Sequence, residues 1–358
     1  MIFISIHHRG TENTEIAQRK AETRSLLEIY MEKEFPGPAG APNRRLKRPS
    51  WQARALSASI RLFVRRRSWG SDADGVARRA RLLFGAPWPY QWLRTRGLRV
   101  RPVNDGGVRG EWLEPASALD GGVIFYLHGG GFVSCSALTQ RPVTAALARL
   151  TARRVFSLDY RLAPEHRYPA ALDDAVAAYE WLLRQGTPAS AISVAGDSAG
   201  GGLVLGCLLR LRDAGLAPPA CAVCFSPWTD LAGTGASVRA NDGLCAMFRT
   251  ENIAEFAAAY LPTGASPRDP YASPAHAVDL RGLPPLLLQV GSTELLLDDA
   301  RGVHERVRAA GGASRLEIYE DLPHGWQMLD GLVPEARAAL RQAASFIREH
   351  PPGDGSKF

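Results

Sequence analysis

The chain has 358 residues, 46% hydrophobic, 22% charged and 8% aromatic, with a formal net charge of +7. That balance supplies a sizeable core and excludes a mostly disordered chain, a fibrous repeat and a disulfide-stapled miniature. No run approaches the ~18 consecutive apolar residues of a membrane span, and the apolar start, Met1 to Ile6, is too short for a signal-peptide core.

The charge is unevenly placed. Between Arg44 and Arg101 sixteen Lys and Arg face two acids, Asp72 and Asp74, a surplus of +14 that leaves −7 for the rest. Clusters such as Arg65-Arg66-Arg67 would attract phosphates or an anionic surface, but no nucleic-acid-binding motif accompanies them, so no nucleic-acid partner is expected. Residues 1–45 read as a flexible extension, a frayed helix running into the linker around Pro36-Gly-Pro-Ala-Gly. Apolar residues recur at helical spacing from Trp51 to about Arg67 and again over about 74–84.

From about Leu98 strands and helices alternate. Apolar runs at 121–127, 154–159, 191–195, 222–225, 285–290 and 315–319 read as buried strands. Helical patterns fall between them at about 138–152, 170–185, 199–214, 298–311 and 334–348. Such alternation predicts an α/β fold with a mostly parallel central sheet and helices on both faces. Residues 231–283 interrupt the rhythm with a helical piece at 251–260 and suit an insertion between two strands. The five cysteines include Cys221-x-x-Cys224, which lies on an apolar strand. Residues three apart on a strand face opposite ways, so core thiols in a reduced, cytoplasmic protein are expected, without a disulfide or a metal.

Gly196-Asp197-Ser198-Ala199-Gly200 stands between an apolar strand and a helical pattern, the context in which G-x-S-x-G marks a nucleophilic serine on a sharp turn. Upstream, His128-Gly129-Gly130-Gly131 follows a buried strand, and bare backbone there can aim N–H groups at a forming oxyanion. Gly129 and Gly130, with the amide of Ala199, are the expected donors. Of eight histidines only His324 sits between the last strand and the last helix, downstream of every plausible acid. The acid should follow the strand at 285–290. Glu294 lies in that strand's exit loop, while Asp298 and Asp299 open the next helix, where capping is their simpler role. Glu294 is therefore the first choice and Asp298 the second.

These residues resemble the hormone-sensitive lipase family of esterases, which have the α/β-hydrolase fold. Asp159-Tyr-Arg-Leu-Ala-Pro-Glu-His166, Ser226-Pro-Trp-Thr-Asp-Leu231 and Asp269-Pro-Tyr-Ala-Ser-Pro274 agree with it, and the likeness covers roughly 95–350. It implies a catalytic domain over 98–350 and a helical cap over the acyl pocket, built from 46–97 and the insertion. It also implies the oxyanion hole on Gly129, Gly130 and Ala199. Two positions depart from the family pattern: Glu294 stands where Asp is commoner, and Trp326 follows His-Gly where Phe is usual. Phe132, Trp228 and Trp326 are the expected substrate-binding residues. The expected activity is hydrolysis of short to medium acyl esters by Ser198, His324 and Glu294, without a cofactor. A lactone hydrolase or acyltransferase sharing the acyl-enzyme is the alternative. The expected partner is a small-molecule ester, with a homodimer allowed.

Overall fold

A computed structural model describes residues 49–352, apart from 67–68, 71, 86–88, 117 and 119–120. The extension read over 1–45 and the C-terminal residues 353–358 lie outside the described residues. Eight strands make one sheet: β1 (Leu98–Asp105), β2 (Val108–Pro115), β3 (Val123–Leu127), β4 (Arg154–Leu158), β5 (Ile192–Asp197), β6 (Cys221–Phe225), β7 (Leu286–Gly291) and β8 (Ser314–Tyr319). Their spatial order is 1-2-4-3-5-6-7-8. Neighbours from β4 to β8 run parallel, whereas β2 is antiparallel to both β1 and β4. The six strands read from the sequence are β3 to β8. The β1–β2 hairpin is an addition: it turns at Gly106 and Gly107, both at positive φ (57° and 87°), as a tight hairpin turn demands.

Helices α1 (Trp51–Ile60), α2 (Ala73–Phe84) and α3 (Pro89–Arg94) precede the sheet, and α1 runs on into a wider turn over Arg61–Arg65. Ser50 caps α1 by accepting from the Ala53 amide at 3.1 Å, and Asp72 caps α2 by accepting from Gly75 at 2.6 Å. The sheet is flanked by α4 (Arg141–Thr151), α5 (Ala170–Arg184), α6 (Ala199–Asp213), α9 (Leu297–Ala309) and α10 (Pro334–Glu349). The insertion contributes α7 (Ala236–Ala240) and α8 (Thr250–Tyr260). Among the described residues no helix is long and apolar enough to cross a membrane.

Helices on both faces explain why β3, β6 and β7 are buried throughout and, apart from Gln289, largely apolar: neither side of these strands meets water. Side chains alternate between two cores. Val123, Phe125 and Leu127 join one with Leu172, Leu182 and Leu203 of α5 and α6. Ile124 and Tyr126 join the other with Val143 and Leu147 of α4 and Leu340 and Phe346 of α10. The cysteines obey the same alternation, Cys221 lying in the second core and Cys224 in the first, both as free thiols. The N-terminal helices pack on the insertion. Trp69 is buried among the rings of Phe84, Phe248 and Phe256, with centroids 5.4, 6.2 and 5.3 Å away. A buried aromatic cluster of this kind costs about 3–5 kcal/mol to open by truncating one large ring.

Candidate active site

The turn from β5 into α6 carries Ser198 at φ 54°, ψ −123°, a backbone conformation that costs a non-glycine residue about 1–3 kcal/mol. Two neighbours explain how the chain holds it. The Ser198 amide donates to Phe225 O at 2.8 Å, which ties the bend to β6. A Cβ on Gly200 would fall 2.1 Å from Leu127 O and 2.4 Å from His128 O, so only glycine lets the elbow nest against the end of β3. The serine thus stands at the carboxyl end of the sheet.

His324 arrives on the loop after β8 and is almost fully buried. Its Nε2 lies 2.8 Å from Ser198 Oγ, and its Nδ1 lies 2.5 Å from Glu294 Oε2. Glu294 follows β7. Its other oxygen, Oε1, accepts from Ser226 Oγ at 2.7 Å and from the Gly291 amide at 2.6 Å. Held by three donors, the carboxylate fixes the imidazole with Nδ1–H toward it and the Nε2 lone pair toward the serine hydroxyl. Asn241, from the insertion, locks the loop of the acid by donating to Ser292 O at 3.1 Å and Glu294 O at 2.8 Å. Asp298 is engaged elsewhere: it accepts from the Ser237 amide at 2.8 Å and faces Arg301 at 3.7 Å. Asp299 accepts from the amides of Thr229 and Asp230 at 2.6 and 2.8 Å.

The glycine loop departs from expectation at one residue. The Gly129 N–H, an expected oxyanion donor, donates to Asp197 Oδ1 at 3.0 Å and is already committed there. The geometry leaves no alternative at that position, because a Cβ on Gly129 would lie 2.3 Å from the same carboxylate. The amides of Gly130, Gly131 and Ala199 have no acceptor among the described residues. Gly130 and Gly131 sit at φ 107° and 63°, which bare backbone tolerates. His128 braces the loop from beneath: its Nδ1 meets Gly129 O at 2.8 Å and its ring stacks on Tyr160 at 4.1 Å. Burial lowers its pKa, which keeps the ring neutral and able to donate through Nδ1.

Of the expected substrate-binding residues, two lie beside the elbow and one does not. The Trp228 amide donates to Ser198 O at 2.9 Å, and Phe132 is stacked on Tyr260 at 3.8 Å and tilted against Trp228 at 6.0 Å. Trp326 instead joins a separate core with Tyr319, Leu322, Val333 and Ala336. The left-handed turn at Gly325 (φ 73°) follows His324 directly, and Trp326, expected at the substrate, is fully buried in that separate core instead. Sequence reasoning missed Asp197, Ser226, Asn241 and Phe248. Phe248 meets the His324 ring edge-on at 5.4 Å. Ser226 opens one of the motifs quoted above, so its position was signalled although its role was not. Asp197 was hidden inside the serine motif as a variable position.

A mostly parallel sheet with helices on both faces, carrying a strained serine at its carboxyl edge beside a histidine and a carboxylate, defines an α/β hydrolase. A family model described as alpha/beta hydrolase fold matches residues 124–328. The chain is 44% identical to an acetyl-hydrolase of Streptomyces hygroscopicus, over 71% of this chain and 84% of that protein. It is 38% identical to an esterase of Acinetobacter venetianus, over 70% and 82% of the two chains. The crystal structure of an esterase from the bacterial hormone-sensitive lipase family superposes with a TM-score of 0.76 at 39% identity, covering 85% of this chain and 99% of that one. The chain therefore belongs to the α/β-hydrolase fold family and, within it, to the hormone-sensitive lipase family of carboxylic-ester hydrolases.

Proposed function

We propose that the enzyme hydrolyses short-acyl carboxylic esters through an acyl-enzyme on Ser198, with His324 as general base and Glu294 as its orienting acid. The observation that carries this reading is the unbroken relay from Ser198 Oγ to His324 Nε2, at 2.8 Å, and from His324 Nδ1 to Glu294 Oε2, at 2.5 Å. His324 takes the serine proton as Oγ attacks the ester carbonyl. Glu294 stabilises the imidazolium that forms, and the same proton then passes to the departing alcohol. Water, deprotonated by the same histidine, releases the acid. The oxyanion is held by the amides of Gly130, Gly131 and Ala199, a revision of the expected set that follows from the commitment of the Gly129 amide to Asp197. One such donor is worth about 3–4 kcal/mol of transition-state stabilisation.

A short acyl group is favoured by what surrounds the site. Phe248 abuts His324, and Phe256 packs so closely on the glycine loop that a Cβ on Gly131 would lie 2.3 Å from its ring. Trp228 stands at the elbow with these rings, bulky groups close to the reacting serine and histidine, and one relative is named an acetyl-hydrolase. Phe248 and Phe256 belong to the insertion, which we read together with α1 and α2 as the cap. The test is a rate series over p-nitrophenyl esters from acetate to decanoate, on the native chain and on Ser198→Ala. Rates should fall steadily beyond about four to six acyl carbons, and Ser198→Ala should lose about 10⁴-fold or more at every length while keeping its fold. A substituted enzyme that still turns over at near-native rate would remove Ser198 from the chemistry.

A further inference from the structure

The basic N-terminal segment takes no part in the relay, yet its described portion displays most of the molecule's exposed apolar side chains. Among the described residues, six of the eight large hydrophobic side chains open to solvent fall between 51 and 93. Trp51 and Trp92 are 69% and 68% exposed, and Leu62, Phe63 and Leu93 are exposed with them. These side chains do not dangle from loose chain. The inner side of α1 is fixed by Ala53 and Leu56, which pack with Tyr319 and Trp326, and Arg61 donates to Gly243 O and Leu244 O at 2.8 and 2.7 Å. Its outer side then repeats Trp51, Ala55, Ala58 and Leu62 at helical spacing, all open to water.

Two anchors fasten the segment to one region. The Ser50 amide and hydroxyl donate to Glu335 at 2.6 and 2.9 Å, while Tyr90 donates to Asp330 O and Arg94 pairs with the Asp330 carboxylate. Residues 50 and 90–94 are thereby fastened to 330–335, the segment that follows the His324 loop at the carboxyl end of the sheet, and Trp51, Trp92, Leu93 and Leu332 stand exposed next to these anchors in the chain. Arg54 and Arg66 stand on the exposed part of α1 and its continuation, with no acidic partner among the described residues. Tryptophan and leucine flanked by unpaired arginine is the composition that settles at the boundary between headgroups and acyl chains of an anionic bilayer.

We propose that this face docks reversibly on an anionic lipid bilayer, with Trp51, Trp92, Leu93 and Leu332 entering the interface and Arg54 and Arg66 meeting lipid phosphates. Charge decides between occupants. A second copy joined through the same face would bring its own Arg54 and Arg66 together with apolar side chains, and no unpaired acid of this set to meet them. A nucleic acid would satisfy the arginines but leave two tryptophans and three leucines in water. A bilayer satisfies both sets, and it brings the ester-hydrolysing edge to a phase in which apolar esters concentrate.

Co-sedimentation of the full chain with vesicles tests this, using phosphatidylcholine alone and phosphatidylcholine with about one-third phosphatidylglycerol. Binding is expected to the anionic vesicles only, and should weaken about tenfold or more between about 0.1 and 0.5 M salt. Arg54→Glu with Arg66→Glu should lower partitioning about tenfold or more, as should Trp51→Ser with Trp92→Ser, while both double variants hydrolyse a water-soluble acetate ester at the native rate. Absence of binding to the anionic vesicles, or unaltered binding by both variants, overturns the proposal. So does a concentration-dependent dimer that the tryptophan variant abolishes in the absence of lipid, and so does retention of a DNA duplex without retention of vesicles.

Discussion

Asp197 is a residue whose importance lies in what it holds. Its carboxylate accepts from Tyr126 Oη at 2.7 Å, from the Gly129 amide at 3.0 Å and from Gln140 Nε2 at 3.4 Å, and it is next in sequence to Ser198, the proposed nucleophile. It therefore couples the elbow to the glycine loop, so that Ser198 and the amides proposed for the oxyanion share one support. Burial raises its pKa. Asp197→Asn keeps an acceptor for Gly129 and Tyr126, and the amide of Gln140 can turn to suit, so its kcat should stay within about tenfold of native. Asp197→Ala frees the loop and strands a buried tyrosine hydroxyl. We expect kcat to fall about 10²-fold with KM little changed, and stability to drop by about 1–3 kcal/mol. Steady-state kinetics beside a denaturant curve separate the two effects; a rise in KM at constant kcat would mean that the loop serves binding alone. The acid is settled by a parallel pair. Glu294→Ala should cost about 10³-fold or more in kcat because the imidazole loses its orienting partner, while Asp298→Ala, which releases only Ser237 and Arg301, should leave kcat near native. The reverse result would move the acid to Asp298.

At the scale of elements, what the sequence made legible follows from burial. β3, β6 and β7 announce themselves because both faces are covered and the runs are largely apolar, whereas the edge strand β8, half-exposed with Arg315 and Glu317, shows itself through the alternation of Leu316 and Ile318 with polar residues. β1 hides because Leu98-Arg-Val-Arg-Pro-Val-Asn-Asp105 is an edge strand, half-exposed and charged, with a proline that a central strand would not carry. The short helices α3 and α7, of 6 and 5 residues, are too brief to show a period and are held by tertiary contacts instead. Long-range pairing of this kind also explains Asp299, which reads locally as a helix-opening acid. Its Oδ2 reaches back to the Thr229 and Asp230 amides and so pins the loop after β6 that carries Ser226 and Trp228. Burial pushes the pKa of Asp299 up to about 8. Between its unfolded value of about 4 and about 8 the folded state then holds more protons than the unfolded, so this group makes stability decline as pH rises across that window. Asp299→Asn keeps the acceptor and should flatten the decline, at little cost near pH 5. Asp299→Ala leaves two buried amides unpaired and should cost about 2–4 kcal/mol at any pH. Thermal melts at intervals from pH 4 to 9 read both effects, and an Asn variant whose melting temperature still falls as steeply would remove Asp299 as the cause.

For the whole molecule, the question is what fastens the N-terminal helices to the domain that carries the serine. Arg81 of α2 provides the chief polar clamp. Its guanidinium takes Glu165 with two bonds of 2.7 and 2.6 Å and also donates to Val133 O at 2.9 Å and Ala163 O at 3.1 Å. One side chain thus joins α2 to the segment just past the glycine loop and to the Asp159–His166 motif. The motif was legible as a family feature, but its partner was not, since nothing local marks Arg81 among so many arginines. The guanidinium holds the Glu165 carboxyl down at about 2. A depressed carboxylate stabilises the fold above its unfolded value and loses that contribution as pH falls, here between about 4.5 and about 2. Arg81→Ala should therefore melt below the native chain at pH 7. The gap should narrow through that acidic window and also with added salt, because the pair is partly exposed and screened. Loosening the clamp should also let the cap breathe, so we expect the acyl-length profile to flatten, with longer esters gaining relative to acetate. Melts of the two proteins at pH 7, 4 and 3, with the ester series repeated on the variant, decide it. A constant gap at all three pH values, with an unchanged chain-length profile, would show that packing around Trp69 alone holds the cap in place.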